Sequence, residues 1–195
     1  MIAQLTGKIA HLDPTKVILD VQGVGYELHI SLPTYSALQD KEIVTLQCYL
    51  KVTEDALTLF GFSEAQEKEM FIKLLGVSGV GASTARMMLS SLRPAEIATA
   101  ILSGDARQLE RVKGIGKKTA ERLVLELKDK MGKMGDIPGT LIVLQHNTVW
   151  TDSLDALVAL GIQKNMAEMA LRKLQQQQPE FSSVEMIIKQ VLKSL

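Results

Sequence analysis

One nine-residue pattern occurs twice in the chain and constrains the fold more than any other feature. Residues 77–85 read VSGVGASTA and residues 112–120 read VKGIGKKTA, at a constant offset of 35 residues. In both copies a G-x-G turn leads into a segment whose apolar residues recur at helical spacing. Solenoid repeats generally need three or more copies. The two copies therefore predict one compact helical domain that contains two glycine turns.

A glycine turn between two helices is suited to gripping a phosphate. Glycine adopts backbone conformations that other residues avoid, and it lets amides approach a phosphate without an intervening Cβ. The N-terminus of the helix that follows carries partial positive charge. The pattern therefore predicts two helix-hairpin-helix motifs that bind the DNA backbone. The candidate binding residues are Gly79, Gly81, Ser83, Thr84, Gly114, Gly116, Lys117, Lys118, Thr119 and Arg122.

Neither of the common nucleotide-binding glycine motifs fits the second copy. The P-loop pattern G-x-x-x-x-G-K-[ST] requires a glycine where Arg111 stands and a hydroxyl where Lys118 stands. The dinucleotide pattern G-x-G-x-x-G requires a glycine at the position of Thr119. The sequence therefore predicts no ATP hydrolysis and no cofactor.

The charged residues are unevenly distributed, although basic and acidic residues both number 22. Residues 112–133 contain seven basic and three acidic side chains, whereas residues 1–63 contain four basic and seven acidic ones. Local charge matters more than the sum because salt screens electrostatic fields over about 8–10 Å. The basic segment, which includes the second glycine turn, favours a nucleic-acid partner.

Residues 1–63 have the alternating pattern of a β-strand domain. In residues 43–52, IVTLQCYLKV, apolar side chains occupy every second position. About five short strands in this length predict a small closed barrel of OB type. Glu54 and Asp55 separate the last two strands, so both carboxylates are expected at a hairpin tip. By its composition alone this tip is an ordinary solvated turn.

The rest of the chain divides into a helical domain, a linker and a second helical domain. Residues 64–132 contain the two glycine turns. Residues 133–150 are irregular apart from the apolar patch Leu141–Leu144, and they are predicted to form a linker. Residues 151–195 contain three amphipathic segments, which predict a three-helix bundle. A bundle of this size has little room for a cleft and is usually an interaction domain.

The chain lacks the residue clusters that metal and disulfide sites require. Cys48 is the only cysteine, and the three histidines, His11, His29 and His146, are scattered along the sequence, so no metal site is predicted. The N-terminus lacks the basic start and apolar run of a signal peptide, and no run of about 18 apolar residues is present. We therefore expect a cytoplasmic protein.

These motifs, in this order, resemble those of the RuvA family, the Holliday-junction binding subunits of the bacterial branch-migration complex. The resemblance covers nearly the whole chain: the opening MIAQLTGKI, the strand GVGYELHI, the hairpin TEDALTLFGF, both glycine turns and the final segment DALVALGIQKNMAE. The second turn, GIGKKTAERL, and the acidic hairpin are the most distinctive parts, because unrelated proteins with one helix-hairpin-helix lack the rest of this order.

The resemblance implies a non-catalytic homotetramer with four-fold symmetry that holds a four-way junction open and nearly square. It implies that the barrel takes part in tetramerisation and that Glu54 and Asp55 form an acidic pin at the junction centre. It also implies that a UBA-like C-terminal bundle recruits RuvB, the ATP-driven motor, during recombination and DNA repair. RuvC resolvase and a second tetramer on the DNA are further implied partners. For the RuvB surface we select the apolar residues Leu157, Leu160 and Ile162.

Three positions depart from the pattern of the family. Ala82 and Ser83 stand where relatives often carry a proline and a lysine, and Thr53 stands where a basic residue can occur. Ser83 and Thr84 can hydrogen-bond a phosphate but bring no charge. The second hairpin is therefore expected to dominate the electrostatic attraction to DNA.

Three other functions compete with this hypothesis. The first is a generic helix-hairpin-helix DNA repair protein that binds duplex, for which an ordinary turn at Glu54 and Asp55 suffices. The second is a helix-hairpin-helix glycosylase or nuclease, which would need a base pocket with a placed nucleophile or carboxylate. The third is a protein-interaction adaptor. Preference for a junction over duplex would exclude the generic duplex-binding protein. Strand cleavage or base release by the purified chain would indicate the enzyme, and partner binding without DNA binding would indicate the adaptor.

Overall fold

The computed structural model describes residues 1–132, 147–177 and 183–194. The chain forms two compact units, residues 1–136 and 137–195. The first unit contains all the described β-strands and the helices around the glycine turns, and the second contains the C-terminal helices. Residues 133–146 of the predicted linker, including the apolar patch Leu141–Leu144, lie outside the described residues.

Five strands form a closed barrel at the start of the first unit. Their bounds are β1 (Gln4–Asp13), β2 (Lys16–Val21), β3 (Val24–His29), β4 (Ile43–Val52) and β5 (Leu57–Phe62). The strand order is β1-β2-β3-β5-β4, closed by the pairing of β1 with β4. β3 and β5 are parallel, whereas the other neighbours are antiparallel. The predicted OB-type barrel is confirmed.

The period of two in β4 places one side of the strand in the barrel core. Val44, Leu46 and Cys48 are at most 7% exposed, and they pack with apolar residues of β2 and β3. A short helix, α1 (Leu32–Leu38), separates β3 from β4 and was not predicted. It begins after Ser31, whose hydroxyl accepts the amide of Thr34 at 3.2 Å, as an N-cap serine does.

Five helices follow the barrel in the part of the first unit that the structure describes. They are α2 (Ala65–Leu75), α3 (Ala82–Ser91), α4 (Pro94–Ser103), α5 (Ala106–Glu110) and α6 (Lys117–Gly132). α4 begins at Pro94 and ends at Gly104, whose φ is +78°, and proline and glycine are common at these two ends of a helix. One glycine turn joins α2 to α3 and the other joins α5 to α6. The predicted tandem helix-hairpin-helix domain is confirmed.

An aromatic cluster joins the barrel to these helices. The fully buried ring of Phe71, on α2, lies with its centroid 5.1 Å from that of Phe60 and 4.9 Å from that of Phe62, both on β5. Tyr49 of β4 meets the same ring at 5.4 Å. Phe60 and Phe62 belong to the core that the helices share. The barrel and the tandem hairpins are therefore continuous in their packing.

A buried carboxylate and an arginine add polar contacts at this junction of the barrel and the helices. Glu67 of α2 is 4% exposed and accepts hydrogen bonds from the hydroxyls of Ser31 and Thr34, the latter at 2.6 Å. Arg86 of α3 donates to the carbonyl oxygen of Thr15 at 2.9 Å. Burial raises the pKa of Glu67 above its ordinary value, although the two hydroxyl donors oppose the shift. The folded chain therefore holds this proton more tightly than the unfolded chain.

We expect Glu67→Gln to reduce the loss of stability that accompanies rising pH. The proton-linked contribution of Glu67 is complete below its pKa in the unfolded chain and disappears as the pH rises through the higher folded pKa. The loss is at most about 1.4 kcal/mol per pH unit. Urea unfolding from about pH 4 to about pH 8 measures it. Glu69→Gln, on the exposed side of the same helix, is the control, and equal pH slopes for wild type and Glu67→Gln would contradict the prediction.

The described residues of the second unit form three helices, as the sequence predicted. They are α7 (Asn147–Ala159), α8 (Lys164–Gln177) and α9 (Val184–Ser194), and their shared core includes Leu157, Leu171 and Ile187. α7 begins inside the segment predicted as linker, because Val149 and Trp150 pack against this core. None of the described helices is long and apolar enough to cross a membrane.

Candidate nucleic-acid interface

The two glycine turns have the same backbone conformation. Gly79 and Gly114 have φ values of +90° and +91°, which glycine adopts readily and other residues rarely do. Val80 and Ile115, the next residues, donate their amides to the carbonyls three residues earlier, at 3.1 and 3.0 Å. The sequence repeat is therefore also a repeat of the turn geometry.

Apolar side chains hold both turns against the helical core. Val77 and Val80 in the first turn are 2% and 6% exposed, and Val112 and Ile115 in the second are 4% and 5% exposed. Val80 and Ile115, each of which stands between the two glycines of its turn, therefore anchor the turns in the core. Because these side chains point inward, the glycines and the polar residues of each turn remain at the surface.

The second glycine of each turn, Gly81 or Gly116, is not required by the packing of the described residues. A Cβ at either position would meet nothing within 4 Å, and neither glycine has a positive φ. The open space lies at the start of the following helix, where backbone amides have no intrahelical acceptor. A phosphate oxygen can approach those amides at these two positions.

The two helices that follow the turns begin without a neutralising carboxylate. Neither α3 nor α6 has an acidic residue in its first turn. The N-cap of α3 is Gly81, which makes no side-chain hydrogen bond to the first-turn amides. The partial positive charge at each helix start is therefore available to an anion. Ser83 is exposed and Thr84 is half-buried in the first turn of α3.

Lysine side chains surround the second turn. Lys117 and Lys118 are exposed at the start of α6, and Thr119 is half-buried beside them. Neither lysine takes part in an ion pair with any described residue. Lys113, which precedes Gly114 and is also exposed, was not among the predicted binding residues. The sequence signal that could have identified Lys113 as a binding residue is its position in the repeat, where it is equivalent to Ser78 of the first turn.

Arg122 has protein partners that its sequence position did not reveal. Its Nη1 donates to the carbonyl oxygen of Ser78, in the first turn, at 3.3 Å, and its Nε lies 3.7 Å from a carboxylate oxygen of Glu126. Helical spacing predicted that Arg122, four and five residues after Lys118 and Lys117, lies near the same phosphate. The contact with Ser78 braces the second hairpin against the first, so the two turns form one surface.

Glu54 and Asp55 occupy the tip of the β4–β5 hairpin, as predicted. The tip is closed by a hydrogen bond from the amide of Thr53 to the carbonyl of Ala56, at 2.9 Å. Both carboxylates are exposed, and neither forms an ion pair with the described residues. The tip therefore carries two uncompensated negative charges.

One of the three residues selected for the RuvB surface is corrected by the structure. Leu157 is fully buried in the core of the C-terminal bundle, because it lies on the inward face of α7, and it is not available to a partner. Ile162 is half-buried and packs against the same core. Leu160 is 63% exposed, and Met166 and Met169 are exposed apolar residues of α8 in the same bundle. The candidate surface therefore keeps Leu160 and the exposed part of Ile162, and it gains Met166 and Met169 of α8.

Three family models match successive parts of the chain. The RuvA N terminal domain matches residues 1–61, the SAM-like Helix-hairpin-helix tandem matches residues 71–129, and the RuvA C-terminal domain matches residues 148–195. These are the barrel, the paired turns and the C-terminal bundle described above.

Curated relatives match the chain over its full length. A protein of Cytophaga hutchinsonii is 45% identical over 197 residues, which cover 99% of each chain. One of Christiangramia forsetii is 46% identical over 196 residues and all of both chains, and one of Citrifermentans bemidjiense is 44% identical over 200 residues, all of this chain and 99% of that one. Each is named "Holliday junction branch migration complex subunit RuvA". With the barrel, the tandem hairpins and the three-helix bundle in the same order, the chain belongs to the RuvA family.

Proposed function

We propose that this chain forms a homotetramer that binds four-way DNA junctions, holds them open and nearly square, and recruits the RuvB motor for branch migration. The paired turns carry the proposal: they share one conformation, expose the start of the following helix and are braced by the contact between Arg122 and Ser78. Relatives of the same length are named as subunits of a Holliday junction branch migration complex.

The turns are suited to the DNA backbone and not to base edges. Backbone amides at a helix start bind phosphate oxygens without regard to sequence. In the second turn Lys117 and Lys118 add charge, whereas in the first Ser83 and Thr84 add hydroxyl donors. The second hairpin therefore supplies most of the electrostatic attraction, and binding depends on DNA shape and not on base sequence.

The acidic tip has a steering role in this proposal. Four subunits bring Glu54 and Asp55 together at the junction centre, where clustered carboxylates repel phosphates and direct the strands into the arms. The chain itself is non-catalytic, and ATP hydrolysis belongs to RuvB, which docks on the C-terminal bundle at a surface that includes Leu160. A second tetramer on the DNA and RuvC resolvase complete the proposed partners.

A competition gel shift tests the proposal. A synthetic immobile junction and a linear duplex of the same sequence compete for the protein at about 150 mM salt, which weakens loose backbone contacts. Strong preference for the junction is the expected result. Equal binding of both would overturn the proposal and leave a generic helix-hairpin-helix protein that binds duplex.

We expect Gly116→Ala to weaken junction binding by about tenfold or more while leaving the fold intact. The added methyl group meets no described residue within 4 Å, but it would separate a phosphate from the amides of α6, at a cost of about 1–2 kcal/mol for each hydrogen bond lost. Fluorescence anisotropy with a labelled junction measures binding, and thermal unfolding measures stability.

Two further glycine variants serve as controls for this prediction. Gly25→Ala, whose Cβ would make an ordinary contact with Ile18 at 3.5 Å, should change neither binding nor stability. Gly114→Ala should lower stability, because its φ of +91° strains any residue with a side chain. Wild-type affinity of Gly116→Ala for the junction would contradict a phosphate contact at this turn.

A further inference from the structure

An apolar stripe follows one face of the β4–β5 hairpin from the barrel core to the acidic tip. Alternate residues of β4 share a face, so Cys48, Leu50 and Val52 lie in one row, and Leu59 and Leu57 of β5 pair across from the last two. Exposure rises along the row: Cys48 is 2% exposed, Leu50 is half-buried and Val52 is 66% exposed. The stripe therefore leaves the core and continues into solvent.

The outer end of the stripe is a pair of large apolar side chains that the fold leaves uncovered. Val52 and Leu57 are cross-strand partners, and at 66% and 73% exposure they belong to neither core of the first unit. We refer to them as the tip pair. Directly opposed residues on one face have their Cβ atoms about 4.5–5.5 Å apart, so the two side chains form one continuous apolar surface beside the carboxylates of the tip.

The charges around the tip pair limit what can cover it. Glu54 and Asp55 lie in the loop that connects the two residues, and they repel phosphate. Lys51, the nearest basic residue in the sequence, precedes Val52 by one position and so points to the opposite face of the hairpin. In the proposed tetramer the four tips approach one another at the junction centre, but direct packing of one tip pair on another would press their carboxylates together, and like charges oppose that contact.

A nucleobase fits both the apolar surface of the tip pair and the negative charge beside it. Its faces are apolar and uncharged, and its exocyclic amino groups donate hydrogen bonds to carboxylates. Apolar side chains such as leucine are used as wedges against unstacked base steps in other DNA-binding proteins. We propose that the tip pair binds the faces of unstacked bases at the junction crossover, while Glu54 and Asp55 keep the phosphates away.

This inference rests on the proposed function, because bases are presented to the hairpin tip only when a junction is held open around it. It adds an attractive component to a role otherwise based on repulsion alone. The carboxylates direct the backbones into the arms, and the tip pair stabilises bases that have lost their stacking partners. Both parts favour strand separation at the same place.

The test is a double variant, Val52→Thr with Leu57→Thr, which removes apolar surface but retains residues that favour β-strands. Ile43→Thr is the matched control, because Ile43 begins the same strand and is 69% exposed. The probe is an immobile junction with 2-aminopurine at the crossover, whose fluorescence rises when the base unstacks. We expect the double variant to lose most of the rise seen with wild type and to bind the junction about fivefold more weakly, with an unchanged salt slope. Ile43→Thr should behave as wild type.

The outcomes separate this inference from the proposed function. Wild-type fluorescence and affinity in the double variant would overturn the inference, whereas the preference of wild type for junction over duplex would still support the proposed function. Equal binding of junction and duplex by wild type would overturn both. Gel filtration without DNA is an additional experiment. A smaller oligomer in the double variant would show that a second copy covers the tip pair, and would overturn the inference.

A companion variant distinguishes attraction from repulsion. Glu54→Gln with Asp55→Asn removes both charges and retains the tip pair, so we expect junction binding to be intact or tighter and the fluorescence rise to be reduced but not lost. Loss of the rise in this variant, together with its retention in Val52→Thr with Leu57→Thr, would assign strand separation to charge alone and overturn the inference.

Discussion

Replacement of both Lys117 and Lys118 by alanine should reduce the salt dependence of junction binding and weaken binding by about tenfold or more at about 150 mM salt. Each phosphate contact that is lost lowers the slope of log affinity against log salt by about one. The two side chains are exposed and have no ion-pair partner among the described residues, so their charges are available to DNA. The effect should be equal for junctions of different sequence, because phosphate contacts carry no sequence information.

Anisotropy titrations at several salt concentrations measure the slope. Arg172→Ala with Lys173→Ala is the matched control. These two residues are also adjacent, exposed and basic, but they lie on α8 of the C-terminal bundle. This control should leave both slope and affinity at wild-type values. An unchanged slope for the Lys117 and Lys118 variant would show that neither lysine touches a phosphate.

Phe71→Ala should destabilise the first unit by about 3–5 kcal/mol, the usual cost of removing a fully buried aromatic ring. The ring contacts Tyr49, Phe60 and Phe62 of the barrel, so its loss leaves a cavity where the barrel meets the helices. Because both parts share this core, we expect one cooperative urea transition for the whole unit.

The intrinsic fluorescence of the chain separates its two units in this experiment. The three tyrosines, Tyr26, Tyr35 and Tyr49, lie in the first unit, whereas the only tryptophan, Trp150, lies in the second. The tyrosine transition should shift to lower urea while the tryptophan transition does not. Ile72→Ala, which removes a 46% exposed neighbour on the same helix, should cost less than about 1 kcal/mol. A comparably small cost for Phe71→Ala would contradict a shared core.

Much of the fold was predictable because its signals are local. Alternation in residues 43–52 indicated a strand with one buried side, and that side is buried for Val44, Leu46 and Cys48. The repeat of G-x-G turns indicated two hairpins, and Gly79 and Gly114 have nearly identical φ values. α1 was missed because it has only seven residues, too short for helical periodicity to be evident.

Residue-level roles were less predictable. Leu157 and Leu160 both look like apolar residues at the end of a helix, yet one is fully buried and the other is 63% exposed. Val52 continues the alternation of β4, but the strand extends beyond the barrel core and leaves this side chain in solvent. Periodicity gives the face on which a side chain lies and does not tell whether anything covers that face.

The sequence by itself determined the order of the three folds, the two turns and the acidic tip, because glycine conformations, strand alternation and helical periodicity act over a few neighbouring residues. Only the tertiary structure decided which distant groups meet: Arg122 reaches a carbonyl 44 residues away, and Glu67 accepts a hydroxyl 36 residues away. Such contacts depend on how whole helices and strands pack. Packing brings together residues that are distant in the sequence, and the local pattern around one of them does not predict its contact with the other.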